Sequence, residues 1–83
     1  MDTVTLCVIA LNEEEMIGDC LASVQGLVEQ IVVVDTGSTD ATVDIAKAAK
    51  AQIVHFPWNG DFAAARNAAL PHVTSDWILV LDA

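Results

Sequence analysis

Residues Gln30 to Asp40 read QIVVVDTGSTD, and this stretch decides the fold. Its first half is an apolar, β-branched run that ends in Asp35, a pattern typical of a strand buried on both faces of a parallel sheet. Its second half, TGSTD, is rich in turn-forming residues, and the helical pattern ATVDIAKAAK follows directly. A strand, a turn and a helix in this order predict the first part of a β-α-β unit.

The same alternation extends toward both ends of the chain. On the amino-terminal side, VTLCVIAL (Val4–Leu11) predicts a buried strand, and NEEEMIGDCLASVQG predicts a helix with Asn12 as its N-cap and Glu15 in the capping-box position. On the other side, QIVHFP predicts a shorter strand that ends at Pro57. The helix FAAARNAAL, capped by Asp61, and the strand WILVLDA complete the pattern.

Strands that alternate with helices predict a single α/β domain over residues 1–83, with a parallel sheet and helices on both faces. Right-handed crossovers favour the strand order 3-2-1-4, which is half of a doubly wound, Rossmann-like sheet. In such sheets ligands bind beyond the carboxyl ends of the strands, where the winding reverses. We therefore expect the ligand site near the ends of strands 1 and 4.

Charge and composition narrow the function classes. The formal net charge is −9, and Lys47, Lys50 and Arg66 are the only positive side chains, so we expect no nucleic-acid partner. No apolar run approaches the ~20 residues of a transmembrane helix, and no signal-peptide pattern opens the chain. We interpret Cys7 and Cys20 as buried, reduced core residues, which favours a cytoplasmic location.

Polar residues follow three of the predicted strands at their carboxyl ends. Asn12 and Glu13 follow strand 1, Asp35 ends strand 2 and Asp82 ends strand 4. Carboxylates at this edge could accept hydrogen bonds from a base or a ribose, bind a divalent cation or act as a general base. Neither a G-x-G-x-x-G motif nor a P-loop motif is present, so the sequence predicts neither a dinucleotide site nor a P-loop NTPase.

For two histidines and two tryptophans, the sequence predicts a structural role rather than a functional one. His55 and His72 are isolated in the sequence, and we interpret both as structural or merely exposed. Trp58 and Trp77 are interpreted as packing residues rather than as a stacking platform.

The ordered motifs N-E-E, V-D-x-G-S-x-D, A-x-R-N and L-D-A resemble those of the family 2 glycosyltransferases, a GT-A class that uses nucleotide-sugar donors. They lie in VIALNEEEMIGDCLASV, EQIVVVDTGSTDATVDIA, HFPWNGDFAAARNAAL and DWILVLDA, which together span nearly the whole chain. The sequence is most similar to bacterial members of cell-wall and lipopolysaccharide biosynthesis. The resemblance implies transfer of a sugar from a nucleotide-diphosphate sugar, most simply a UDP-sugar, to an acceptor hydroxyl.

The resemblance also implies roles for individual residues. Asp35 would accept a hydrogen bond from the base, and Arg66 would point toward the donor as a partner for the diphosphate. Asp82 matches the first aspartate of the D-x-D metal motif, which implies a divalent cation, Mg²⁺ or Mn²⁺, in the complete enzyme. The remaining donor-binding positions lie at the end of strand 1 and in the loops that follow strands 1 and 2, namely Ala10, Leu11, Asn12, Glu13, Gly37 and Ser38, with Asp40 holding the second loop.

The sequence departs from the family pattern at its end. The second D-x-D aspartate would be residue 84, and the general base of inverting members belongs to an acceptor-binding half. We therefore expect an N-terminal donor-binding portion, catalytically inactive by itself, of an enzyme that is cytoplasmic or peripheral to the membrane. An apolar edge strand at WILVLDA also predicts self-association.

Two alternatives to a glycosyltransferase stay open at the level of the sequence. One is a non-catalytic nucleotide-binding or regulatory α/β module, such as a receiver-like domain, and the other is an assembly domain that uses the exposed strand. A receiver places an aspartate after strand 3, whereas strand 3 here ends in HFPW.

Overall fold

The computed structural model describes residues 2–82, in which four strands alternate with three helices. This order confirms the predicted α/β architecture. The strands are β1 (Val4–Ala10), β2 (Gln30–Asp35), β3 (Gln52–His55) and β4 (Trp77–Asp82). The helices are α1 (Ile17–Val24), α2 (Thr42–Ala48) and α3 (Phe62–Ala69), and a 3-10 turn (Leu70–His72) follows α3.

The sheet is parallel with the strand order β3-β2-β1-β4, as predicted. In its register, Ala10 at the end of β1 lies opposite Asp35 on one side, and Ile9 lies opposite Asp82 on the other. The carboxyl ends of β1, β2 and β4 therefore lie side by side at one edge of the sheet.

Two apolar layers hold helices on both faces of the sheet. On one face, the side chains of Leu6 and Val8 pack with Ile17 and Leu21 of α1 and with Ala46 of α2. On the other face, the central strands pack against α3 through a second set of buried residues, namely Cys7, Ile9, Val32, Val34, Ala65 and Ala69. The small alanines of α3 let this helix lie close to the sheet, which fixes its position beside the edge described above.

Helix α1 begins later than the sequence predicts. Its first residue is Ile17, Met16 occupies the N-cap position, and no side chain caps the helix. The amides of Met16 and Ile17 bond to the carbonyl of Glu13 instead. Asn12 is not the cap, because its backbone is left-handed, with φ of 51°, and its side chain binds another loop.

The other predicted helix boundaries agree better with the structure. Asp61 caps α3, since its carboxylate accepts hydrogen bonds from the amides of Ala63 and Ala64. The helix ends at Ala69, two residues before Pro71. Strand β3 ends at His55 rather than at Pro57, because proline has no amide hydrogen for the ladder.

The two cysteines are free and differ in burial. Cys7 is buried in the sheet, as predicted, whereas Cys20 on α1 is only partly buried. Burial raises the pKa of the Cys7 thiol above its ordinary value, and the nearby positive charge of Arg66 offsets part of this effect. None of the described helices has both the length and the apolar character that a membrane span requires.

Candidate functional site

A cleft of about 340 Å³ opens at the carboxyl edge of the sheet, beside the ends of β1 and β2. Four segments contribute to it: the end of β1 with the loop after it, the residue after β2, the loop after β3 and the start of α3. The lining residues are Ile9, Ala10, Leu11, Glu13, Thr36, Trp58 and Phe62. The cleft thus lies at the expected carboxyl edge, but its lining comes from the β2 side of β1 rather than from β4, on the other side of β1.

Backbone hydrogen bonds continue the sheet across the floor of the cleft. Thr36 donates from its amide and its hydroxyl to the carbonyl of Ala10, at 3.1 and 3.2 Å. The amide of Trp58 in turn donates to the carbonyl of Thr36 at 3.2 Å. This chain of bonds ties three neighbouring segments together, so the position of Trp58 follows from that of β1.

An aromatic pair forms one wall of the cleft. The rings of Trp58 and Phe62 meet edge to face, with centroids 4.7 Å apart. Gly60, with φ of 84°, turns the chain between them, and the cap at Asp61 starts the helix that carries Phe62. Both rings stay exposed, Trp58 to 44% and Phe62 to 53%.

The loops that follow β1 and β2 are fastened to each other beside the cleft. The amide of Asn12 donates to the hydroxyl of Ser38 at 2.9 Å, and the side-chain oxygen of Asn12 accepts from the amide of Thr39 at 2.8 Å. The amide of Glu13 donates to the hydroxyl of Thr42 at 2.8 Å. These hydrogen bonds hold the two polar loops in a defined conformation at the carboxyl edge of the sheet.

Asp40 joins the same two loops from the other side. Its carboxylate accepts from the amide of Glu14 at 3.2 Å and from the amide of Thr42 at 2.9 Å, and the Thr42 hydroxyl also donates to it. These hydrogen bonds, with the one from the Thr42 hydroxyl foremost, lower the pKa of Asp40 below its ordinary value. The residue therefore holds the loop in the way that the family resemblance implies.

Asp35 is a buried carboxylate at the end of β2, with only 5% of its surface exposed. Each of its oxygens lies 3.3 Å from the amide of Ser38, and one lies 3.7 Å from Nδ1 of His55. His55 is itself largely exposed. The next residue, Thr36, lines the cleft, whereas Asp35 itself is not among the lining residues.

The structure brings some of the predicted donor-binding residues together and separates others. Ala10, Leu11 and Glu13 line the cleft, while Asn12, Gly37 and Ser38 belong to the loops beside it. Arg66 is exposed on α3, one helical turn beyond Phe62, and is not among the lining residues. The backbone of Asp82 reaches the edge opposite Ile9. Its side chain and Ala83 lie outside the part that the structure describes.

Trp58 corrects an interpretation made from the sequence. A packing residue is expected to be buried, but Trp58 is partly exposed and lines the cleft together with Phe62. Phe62, Thr36 and Ile9 were likewise not predicted as site residues. The spacing of two aromatic residues across the start of a capped helix is the signal that could have indicated the pair.

The described residues do not form a metal site by themselves. Among the described side chains, those of residues 2–81, no three His, Cys, Asp or Glu are grouped so that they could hold a metal ion. Asp35 and His55 form a pair to which no third described side chain of this kind is added. A resident metal ion held only by this part of the chain does not fit these residues.

A second, larger cleft of about 590 Å³ lies at the opposite edge of the sheet. It borders the amino-terminal ends of β2 and β3 and contains residues of the turns that precede them, including Gly26, Glu29 and Lys50. None of the predicted site residues belongs to its lining. Its place in the fold is the edge at which doubly wound sheets do not bind their ligands.

The family model of glycosyl transferase family 2 matches residues 5–83. The chain belongs to this family. A TPR repeat-containing protein of Synechococcus elongatus is 51% identical over all of this chain. The SPbeta prophage-derived glycosyltransferase SunS of Bacillus subtilis is 41% identical over 98% of it. The family 2 chain spans about a fifth of the length of these two relatives, 21% and 20%.

Solved structures place this family 2 chain among the GT-A glycosyltransferases. Glucosyl-3-phosphoglycerate synthase from Mycobacterium tuberculosis, in complex with Mn²⁺, UDP and glucosyl-3-phosphoglycerate, matches with a TM-score of 0.83 and 28% identity. The match covers 98% of this chain and 33% of that one. The same synthase also matches in complexes with Mn²⁺ and UDP-glucose and with Mg²⁺ and UDP. This synthase therefore binds a divalent cation together with its nucleotide.

Proposed function

We propose that this chain binds the nucleotide of a nucleotide-diphosphate sugar in the cleft beside β1 and β2. The observation that carries the proposal is the position of the cleft at the carboxyl edge of the parallel sheet, the edge at which such sheets bind ligands. Family membership and the UDP complexes of the Mycobacterium synthase support a UDP-sugar as the donor.

We further propose distinct roles for three polar residues. Asp35 accepts a hydrogen bond from the base, since it immediately precedes the cleft residue Thr36 in the sequence and its carboxylate has acceptor capacity beyond the Ser38 amide. Glu13, in the lining, accepts from the base or the ribose. Arg66 pairs with the diphosphate when the donor is bound, and the flexible side chain of this exposed residue can swing toward the cleft.

In the whole protein, the proposed reaction is transfer of the sugar to an acceptor hydroxyl. The acceptor oxygen forms a bond to the anomeric carbon, the bond from that carbon to the diphosphate breaks, and the proton of the hydroxyl passes to a general base. We propose that this base lies outside these 83 residues, so that the chain alone binds the donor but transfers no sugar. A divalent cation, Mg²⁺ or Mn²⁺, would neutralise charge on the diphosphate, with Asp82 as the contribution of this chain to its site.

Isothermal titration calorimetry with UDP and Mn²⁺ tests donor binding. We expect saturable binding by the unaltered chain and a large loss of affinity in Asp35→Ala. Asp19→Ala is the matched control, because it removes an equal charge from the exposed surface of α1 and should bind UDP normally. Absence of binding to UDP and to other nucleoside diphosphates would contradict the proposal.

The inactivity of the chain alone has its own test. Incubation with UDP-glucose and Mn²⁺, followed by chromatography of the products, should yield neither a transferred sugar nor free UDP. Release of UDP above the rate without protein would contradict inactivity, while leaving donor binding intact.

Three finer predictions from the sequence remain proposals. The first is a role in cell-envelope biosynthesis, and the second is a cytoplasmic location with the whole protein at the membrane surface. The third is self-association through β4, supported by the exposure of Trp77, Leu79 and Leu81 on that strand. The receiver-like alternative is not retained, because the chain belongs to a glycosyltransferase family.

A further inference from the structure

We infer that Trp58 and Phe62 form the wall against which the planar base of the nucleotide lies. This inference rests on the proposed function. Trp58 and Phe62 belong to the same cleft, and the family resemblance implies no role for either residue. The part of the donor in contact with the two rings is the base, and not the sugar or the diphosphate.

The two rings are more exposed than aromatic side chains that serve only to pack the core. Trp58 and Phe62 expose about half of their surfaces at the mouth of a cleft, although their aromatic faces are among the most favourable groups to bury. Sheet packing on this face is carried by Ala65 and Ala69 of α3, so the aromatic pair is not needed for that contact. Exposed aromatic surface in a concave site is typical of a ligand contact.

The backbone that carries the two rings is held in place without a ligand. The amide of Trp58 is bonded to Thr36, and Thr36 is bonded to β1 through Ala10. At the other end of the wall, the carboxylate of Asp61 caps the helix that begins with Phe62. A wall held at both ends needs little reordering on binding, which favours affinity for a rigid, flat group.

The chemistry of the lining selects the base among the parts of the donor. Ile9, Ala10 and Leu11 line the cleft together with Trp58, and Glu13 is the one ionisable side chain among the described lining residues. A diphosphate would meet this carboxylate in a chain of net charge −9, without a positive side chain in the lining. A sugar needs several hydrogen-bond partners, whereas the hydroxyl of Thr36 is already bonded to Ala10. A base needs apolar faces and one or two polar partners at its edge.

Single-tryptophan variants give a direct test, since the chain contains only two tryptophans. In Trp77→Phe, Trp58 is the remaining tryptophan, and we expect UDP to quench its fluorescence in a saturable manner. Ribose 5-phosphate, which lacks a base, should leave the emission unchanged. In Trp58→Phe, the emission comes from Trp77 on β4 and should not respond to UDP.

Affinities from calorimetry provide the second readout. Because stacking of a base on an aromatic side chain contributes about 1–3 kcal/mol, Trp58→Ala should weaken UDP binding about 5- to 150-fold. Trp58→Phe should retain most of the affinity, and Trp77→Ala is the matched control with unchanged affinity. Circular dichroism of each variant verifies the fold.

The outcomes separate this inference from the proposed function. If UDP binds by calorimetry but neither quenches Trp58 nor loses affinity in Trp58→Ala, the aromatic wall is wrong and donor binding stands. If UDP does not bind the unaltered chain, both are wrong. Quenching in Trp77→Phe together with the loss in Trp58→Ala supports the inference.

Discussion

The side-chain oxygen of Asn12 accepts a hydrogen bond from the amide of Thr39 at 2.8 Å and fastens the loop after β1 to the loop after β2. The amide of Asn12 donates back to the neighbouring Ser38 hydroxyl, so one residue makes both connections. Its backbone is left-handed, with φ of 51°, a conformation that asparagine tolerates better than most residues. Asparagine therefore fits position 12 for two reasons, the hydrogen bond of its side chain and its tolerance of the left-handed backbone.

Replacement of Asn12 tests this double role. Asn12→Ala should lower the free energy of unfolding by about 1–2 kcal/mol, because it removes a hydrogen bond worth about 1 kcal/mol and leaves the left-handed position to a residue that tolerates it less well than asparagine. Asn12→Gly removes the bond without this strain and should lose less. Urea denaturation followed by circular dichroism measures both values. Equal losses in the two variants would contradict the role of the backbone.

Removal of the cap at Asp61 should affect both the helix and the aromatic wall. Asp61→Ala should destabilise the chain by about 1 kcal/mol, the usual effect of losing an N-cap. It should also weaken UDP binding, since Phe62 begins the capped helix. Asp61→Ser keeps a capping oxygen and is the control for both measurements. A destabilised Asp61→Ala variant with unchanged UDP affinity would argue against a wall held by the cap.

The lowered pKa of Asp40 predicts a loss of stability in acid. Hydrogen bonds from Thr42 and Glu14 favour the charged carboxylate in the folded chain, so its pKa lies below the ordinary value of 3.8. The stabilisation is present in full above that value and is lost as the pH falls below it, through the folded-state pKa. The difference in unfolding midpoint between the unaltered chain and Asp40→Asn should therefore shrink below pH 3.8. A difference that stays constant from pH 7 to pH 3 would contradict this.

Exposed apolar side chains on β4 predict self-association of the chain. β4 pairs with β1 on one side, and Trp77, Leu79 and Leu81 on it are substantially exposed. Sedimentation velocity over a range of concentrations should show association that weakens in Leu79→Glu. Leu27→Glu, at an exposed leucine in the turn before β2, is the matched control. A single monomeric species at every concentration would rule out association through β4.

The sequence predicts the fold well because its strongest signals are local. The buried runs of β1 and β2 cannot lie at the surface, and right-handed crossovers leave few arrangements for them. The cap at Asp61 was also predictable, since it bonds to amides two and three residues away.

The predictions from the sequence that were wrong concern residues whose contacts are distant in the sequence. Asn12 looks like a cap until its actual partner, 27 residues away, is known. Trp58 looks like a core residue, but in the structure it is 44% exposed and lines the cleft. Neither contact leaves a periodic pattern, and only the spacing of Trp58 and Phe62 around the cap at Asp61 gives a sequence signal for the second one.

The central claim is that the nucleotide binds at the carboxyl edge of the sheet, and a UDP titration followed by NMR tests it most directly. In nitrogen-proton correlation spectra of the labelled chain, UDP with Mg²⁺ should shift the amide signals of Ala10, Leu11 and Thr36 and the indole signal of Trp58. Signals from the opposite edge, such as Gly26, Glu29 and Lys50, should stay in place. Shifts confined to that opposite edge, or no shifts at saturating UDP, would contradict a nucleotide site at the carboxyl ends of β1 and β2.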